Sequence, residues 1–353
     1  MATFPSKVNY ATGDILTATN MNDVGGAINL LESAQFAAGK NKIINGDFGV
    51  WQRGTTGTLS GSTPLYVADR FQVQTDGAGG TITVSQQTFT PGTAPVAGYE
   101  GQFFHRVACT VARTGTTFSG IYHKIEDVRT LAGQTVTLSF WAKADSARTI
   151  TGNLEQNFGS GGSASVFAAG FSISATTAWT RFTYTVALAS ITGKTVGTSS
   201  YLNAYIDLPK NTTYTLDIWG VQLEAASTAS NFQTATGTKQ GELAACQRYY
   251  WRNTADSTGD RMGLLGTSGA TTDVSFTGFS PVPMRTTPSS LDYADLTVND
   301  GSGSPITVSA LAIQSACAGS YGLTATVTGA TQFRPYFLRS SSATAYFGLS
   351  AEL

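Results

Sequence analysis

Charge is scarce in this chain: Asp, Glu, Lys and Arg make up 12% of its 353 residues, about half the roughly 25% of an average soluble protein. The formal net charge of -1 carries no block of like charges, so nucleic acid and anionic membrane surfaces are not expected as partners. Histidine occurs only twice, at His105 and His123, with no Cys or Asp pattern around either, and both read as satisfied structural imidazoles. The three cysteines, Cys109, Cys246 and Cys317, are far apart and odd in number, which excludes a disulfide framework and a clustered metal site and leaves small buried or half-buried thiols. No run of about 20 apolar residues is present to span a bilayer, and the first residues lack the apolar stretch of a signal peptide. The sequence therefore reads as a protein made in a cytoplasm, without membrane insertion. Nucleophile-elbow, phosphate-loop, zinc-protease and dinucleotide motifs are all missing, so no cofactor and no catalytic machinery are expected.

What is present is an apolar fraction of 41%, enough for real cores, and 39 glycines that punctuate short alternating segments. Thr81–Val84, Thr135–Trp141, Arg181–Val186 and Tyr214–Trp219 alternate with period two and read as half-buried strands between Gly- and Ser-rich turns. A second set of strand candidates follows residue 243: 247–251, 273–279, 306–313, 321–327, 333–338 and 345–349, with Pro281, Pro283 and Pro288 confining 282–287 to a loop or sheet edge. The expected fold is mainly β: a short N-terminal helical attachment segment (1–40), an antiparallel β-sandwich (41–226), a polar linker (227–242) and a smaller C-terminal β-sandwich (243–353).

The first forty residues stand apart because only there does a helical period appear. Met21, Val24, Ile28 and Leu31 step by three, four and three, the seam spacing of a short coiled coil or a docking helix. Gly25 and Gly26 inside it cost roughly 1 kcal/mol each relative to Ala, and a helix this short is marginal alone. Either symmetric copies of itself or the chain's own β-domain must cover the seam.

Binding chemistry has to come from aromatics and isolated carboxylates. Of the tryptophans, Trp141 falls on the face of its strand opposite Val136, Leu138 and Phe140, and Trp219 opposite Leu216 and Ile218. These two are the candidate glycan platforms, with an intersubunit contact the other explanation. Glu100, Glu126, Asp127, Glu155 and Asp207 are possible members of a hydrolytic carboxylate pair, although solvated edge positions explain each more simply.

The run Asn41-Lys42-Ile43-Ile44-Asn45-Gly46-Asp47-Phe48-Gly49-Val50-Trp51 joins an Asn-Gly turn signal to what reads as a strand start. With Ala68-Asp69-Arg70-Phe71, Gly220-Val221-Gln222-Leu223-Glu224, Cys246-Gln247-Arg248-Tyr249-Tyr250-Trp251 and the ending Gly348-Leu349-Ser350-Ala351-Glu352-Leu353, it resembles the jelly-roll segments of bacteriophage tail-fibre and related virion proteins. The resemblance implies a homotrimeric virion appendage, synthesised in a host cytoplasm, that docks to other virion proteins through its N-terminus and meets host surface glycan through its β-domains. A capsid decoration or head fibre, or a tail-assembly protein without a host ligand, is the alternative within the same group; a glycan-degrading enzyme is a third. Similar carbohydrate-binding jelly rolls often hold a structural calcium near the positions of Asp47 and Asp217, but two carboxylates fall short of the 6 to 8 oxygens that ion needs, so no metal is expected.

Overall fold

The computed structural model describes residues 39–96 and 99–353; the Met21, Val24, Ile28, Leu31 seam lies outside the described residues. The first unit is built from β1 (Thr56–Leu59), β2 (Leu65–Tyr66), β3 (Gln72–Thr75), β4 (Thr81–Thr88), β5 (Phe103–Val111), β6 (Ser119–Glu126), β7 (Thr135–Ala144), β8 (Arg148–Asn157), β9 (Val166–Phe167), β10 (Phe171–Ala175), β11 (Thr180–Ala187), β12 (Tyr201–Asp207) and β13 (Tyr214–Glu224). One sheet has the order β1-β4-β5-β13-β7-β11 and the other β10-β8-β12-β6-β3-β2, with β9 paired to β8. All their pairings are antiparallel, and β13 returns between β5 and β7, the crossing connectivity of a jelly-roll-like sandwich. Alternation fixes the register of each face: Leu202, Ala204 and Ile206 of β12 enter the core with Ile121, Leu138 and Leu154, while Tyr201, Asn203, Tyr205 and Asp207 turn outward.

The expected Asn-Gly strand start proves to be a clamp. Residues 44–47 do turn, but the first strand begins only at Thr56. Buried Asn45 donates from Nδ2 to Val50 O (2.9 Å) and Asp69 O (3.0 Å) and accepts from Val50 N (2.8 Å), so its side chain replaces the ladder that a strand would have supplied. Gly46 lies so close to β13 that a Cβ there would come within 2.1 Å of Val221 O. Any other residue would push this turn off the sheet.

The region expected to be a linker, 227–242, is instead a strap across the outside of the first sheet. Phe232, Gln233 and Ala235 are buried; Gln233 N donates to Gln222 Oε1 (2.9 Å), Ser230 Oγ to Glu224 Oε2 (2.7 Å), and Asn41 Nδ2 to Gln233 O (3.0 Å). Its polar composition conceals this because backbone and side-chain hydrogen bonds, with one aromatic anchor, do the docking. Thr238 then caps helix α1 (Lys239–Gln247), accepting from Gly241 N at 3.0 Å.

This strap also corrects the reading of the two tryptophans. Trp141 and Trp219 do point away from the sandwich core, as alternation predicts, and pair across β7 and β13. They are nevertheless 7% and 0% exposed, roofed by Phe89, Tyr99 and Phe232, with Phe232 at 4.9 Å from Trp219 and Arg181 at 4.6 Å over Trp141. Neither can present a ring to a glycan. Parity along a strand tells which side a residue faces, not what distant segment covers that side.

The second unit adds β14 (Tyr250–Thr254), β15 (Arg261–Ala270), β16 (Asp273–Phe279), β17 (Ser290–Ala294), β18 (Leu296–Asn299), β19 (Ile306–Thr307), β20 (Ala310–Ala316), β21 (Ser320–Thr326), β22 (Pro335–Ser340) and β23 (Tyr346–Ser350). They form a three-stranded sheet, β14-β23-β17, and a larger one, β19-β18-β22-β15-β16-β21-β20. Trp251, Phe276, Tyr321 and Phe347 fill the core between them. The two units meet through charge: Glu352 pairs with Arg70 and Arg53, Arg248 with Glu126 (2.9 Å), and Arg53 and Arg70 stack at 3.5 Å on Tyr250 and Tyr249 respectively.

Candidate functional site

The outward face of the second sheet carries hydroxyl and amide groups interleaved with aromatic rings. Register places Tyr66, Gln72, Tyr122, Tyr205 and Asn153 in one row across β2, β3, β6, β12 and β8. One step along the strands, Lys124, Asn203, Glu155 and Phe167 form a parallel row, and Glu126, Tyr201 and Asn157 a third. Phe167, on β9 beside β8, is 56% exposed, a hydrophobic ring displayed on the surface.

At the centre the rings of Tyr122 and Tyr205 are 5.6 Å apart and inclined at 31°. Tyr122 leans along its own strand over Gly120: a Cβ at that glycine would come 3.1 Å from the ring. The absence of a side chain at Gly120 thus lets the phenol lie down on the sheet. Around the pair, Tyr66 OH donates to Gln72 Oε1 (3.1 Å), Asn203 Nδ2 to Glu155 Oε2 (3.3 Å), Ser165 Oγ to Glu155 Oε1 (2.8 Å) and Thr151 Oγ1 to Asp207 Oδ2 (2.6 Å). The carbonyl oxygens of Asn153 and Asn203 are buried without a hydrogen-bond partner among the described residues. Such acceptors cost free energy unless a donor reaches them.

The phenols of this face are uncharged. Burial, with the nearby Asp207 carboxylate second, pushes the Tyr122 phenol up to about 12, and burial likewise raises Tyr205 and Tyr201, so all three keep their hydroxyl protons at neutral pH. Lys124 is the basic member; its pKa is lowered by burial and then by Arg70, and its ammonium donates to Leu353 O at 2.8 Å. Glu126 is taken up by Arg248 and by the Tyr249 hydroxyl (3.1 Å). The second unit thereby forms a rim at one end of the face.

The residues named from sequence are distributed elsewhere. Trp141 and Trp219 lie under the strap on the opposite sheet. Asp47 and Asp217, weighed as calcium ligands, have separate partners: the Tyr99 hydroxyl donates to Asp47 (2.8 Å), and Arg106 grips Asp217 with two bonds of 2.7 and 2.8 Å. Among the described residues, no group of three or more His, Cys, Asp or Glu is placed to hold a metal. His123 accepts from Ile44 N at 3.3 Å, whereas His105 has neither nitrogen bonded among the described residues; the expectation of two satisfied imidazoles holds there for one nitrogen of one ring. Cys109 and Cys246 are buried and Cys317 is exposed, all free thiols. Tyr122, Tyr201 and Tyr205 escaped the sequence reading, although Tyr122-His123-Lys124-Ile125 and Tyr201-Leu202-Asn203-Ala204-Tyr205-Ile206 carry the alternation that would have found them.

No protein-family model and no curated protein matches the sequence. Solved structures do match about half of it. The family 11 carbohydrate-binding module from Clostridium thermocellum in complex with a β-1,3-1,4-mixed-linked tetrasaccharide is similar at 13% identity over 50% of this chain and 99% of that one, with a TM-score of 0.31. The CBM22-1 xylan-binding domain from Paenibacillus barcinonensis is similar at 12% identity over 55% of this chain and 100% of its own, with a TM-score of 0.31. The enzymatically active domain of tailspike protein 4 from bacteriophage CBA120 is similar at 13% identity over 53% of this chain and 22% of that chain, with a TM-score of 0.32.

Proposed function

We propose that this chain binds a neutral glycan across the outer face of its second sheet, without cleaving it, as the host-recognising part of a phage virion appendage. The observation that carries the glycan reading is the Tyr122–Tyr205 pair, laid along the sheet beside Asn153. Sugar rings offer C–H faces for the phenol rings and hydroxyl groups for the phenol oxygens. Binding rather than hydrolysis is supported by spacing. Glu155 and Asp207 belong to rows two steps apart along β12, about 13 Å at strand rise, beyond the roughly 5 to 10 Å of a glycosidase pair. The virion role rests on the sequence resemblance carried by the Asn41–Trp51 and Cys246–Trp251 motifs, and a trimer would multiply weak single sites by avidity of roughly 10² to 10⁴.

The test is titration of neutral oligosaccharides from host surface polysaccharide into the wild type and into Tyr122→Ala and Tyr205→Ala, with reducing ends assayed in parallel. Saturable binding that both variants lose, with no new reducing ends, supports the reading. Binding unchanged in both variants overturns the site, and release of reducing ends overturns the claim of adhesion without cleavage.

A further inference from the structure

A cavity of about 500 Å³ opens on the other side of the first unit, between the Asp47–Gln52 turn, the Tyr99–Phe103 segment and the start of α1. Its volume is within the roughly 300 to 1,000 Å³ of small-molecule sites. Trp51, Tyr99 and Phe103 supply apolar walls, and Asp47, Glu100 and Gln52 supply polar groups.

These walls are held in place from behind. Trp51 donates from Nε1 to Phe48 O at 2.5 Å and stacks within 23° of the His105 ring at 5.9 Å. Tyr99 is fixed by its 2.8 Å bond to Asp47 and by an edge contact with Phe232 at 5.1 Å. Glu242 also borders the cavity, but both its oxygens are spent on structure, accepting Asn45 N and Thr236 N at 2.7 Å each. Asp47 and Glu100 are different. Beyond Tyr99, Asp47 accepts Gly49 N at 3.3 Å, and Glu100 accepts Gly92 N at 2.8 Å. A carboxylate has about four lone-pair sites, so both keep acceptors for a ligand. Lys239 is the basic side chain on the rim, outnumbered by three carboxylates.

We infer that this cleft is a second binding site, for a sugar ring bearing a protonated amine: Trp51 and Tyr99 take the apolar face of the ring, and Asp47 and Glu100 take the ammonium. An anionic sugar would meet like charge, and a purely neutral one would leave the carboxylates unused. A cation beside aromatic faces gains twice, from the carboxylates and from the ring quadrupoles. This site goes beyond the neutral-glycan face and shares no residue with it.

The test is calorimetric titration with a glucosamine tetramer, its fully N-acetylated counterpart and a neutral glucose tetramer, on the wild type, Asp47→Asn, Glu100→Gln, Trp51→Phe and Tyr205→Ala. Wild type is expected to prefer the glucosamine tetramer over its acetylated form by roughly tenfold or more, the scale of one hydrogen bond to a charged group. Glu100→Gln, at an exposed position that does not threaten folding, and Asp47→Asn should remove that preference; Trp51→Phe should weaken binding; Tyr205→Ala should leave the preference intact. Equal affinity for the free and acetylated amine in the wild type overturns the inference. So does a preference that survives both carboxylate variants or vanishes in Tyr205→Ala. Loss of neutral-sugar binding in Tyr205→Ala alone speaks only to the sheet face, so the two sites fail independently.

Discussion

Gly120 and Tyr122 form a seat and its occupant: the phenol of Tyr122 rests where a Cβ on Gly120 would intrude to 3.1 Å. Gly120 has an ordinary strand backbone and does not need a positive φ, so Gly120→Ala is tolerated by the chain but lifts the ring off the sheet. The expected result is roughly tenfold weaker glycan binding, about 1.4 kcal/mol, with little change in melting temperature. Isothermal titration alongside thermal denaturation separates the two effects; unchanged affinity would mean that the ring's posture is irrelevant to binding.

Phe232 decides whether 227–242 is a strap or a tether. Its ring meets Trp219 at 4.9 Å, Tyr99 at 5.1 Å and Trp141 at 6.3 Å. Phe232→Ala is expected to cost about 3 to 5 kcal/mol, the range for a buried aromatic, measured by denaturant unfolding. A residue in a solvated linker would change stability by about 0.5 kcal/mol or less.

The strap also marks where the sequence stops being legible. β4, β7, β11, β13 and β16 were readable because apolar residues alternate with polar ones along their sequences, even in β7 and β13, where both faces end up buried. β15 and β18 were missed: β15 alternates in burial, but Gly263, Gly266 and Gly269 interrupt the apolar pattern in its sequence, and β18 is four residues buried on both faces. Coverage of the first sheet's outer side depends on contacts of Phe232 with Trp219, Trp141 and Tyr99, which are 13, 91 and 133 positions earlier in sequence and which no local period encodes. The motifs that carried the resemblance belong to the same class of long-range feature. Asn45, Arg70, Gln222, Glu224, Arg248 and Tyr249 are clamps and junction residues, so they announce an architecture more than a ligand. The candidate binding face was readable in principle, but aromatic rarity drew attention to tryptophan when the displayed rings are tyrosines.

Two buried histidines set the acid limit. His105 lies between Phe48 (5.1 Å) and Trp51 (5.9 Å), and burial lowers its pKa from 6.5 to about 3. His123 is lowered too, by burial and then by Arg70. An unfolded chain takes up protons near pH 6.5 where the folded one does not, so this stability is full above pH 6.5 and is lost as pH falls toward 3. Asp69 works in the opposite sense: burial raises it from 3.8 to about 6, so the folded state gains between those values as pH falls. The two strongly lowered histidines, set against the raised Asp69 and the likewise raised, buried Glu242, predict a net decline in melting temperature from pH 6.5 to 4, flattened in His105→Gln. A level or rising profile in the wild type would contradict it.

Arg70 and Glu352 join the two units. The guanidinium is 2% exposed, pairs with Glu352 and stacks on Tyr249 at 3.5 Å, and Arg53 reaches the other oxygen of the same carboxylate at 3.2 Å. A buried pair of this kind contributes little net stability compared with an apolar replacement, but removing one member strands the other in a desolvated site. Glu352→Ala is therefore expected to cost about 3 to 5 kcal/mol, and the double variant Arg70→Met with Glu352→Leu should recover most of that. Unfolding monitored separately by Trp251 fluorescence, in a background with the first unit's tryptophans replaced by phenylalanine, would show whether the second unit releases first. If Glu352→Ala unfolds as cooperatively and at the same denaturant concentration as its parent, the pair does not hold the units together.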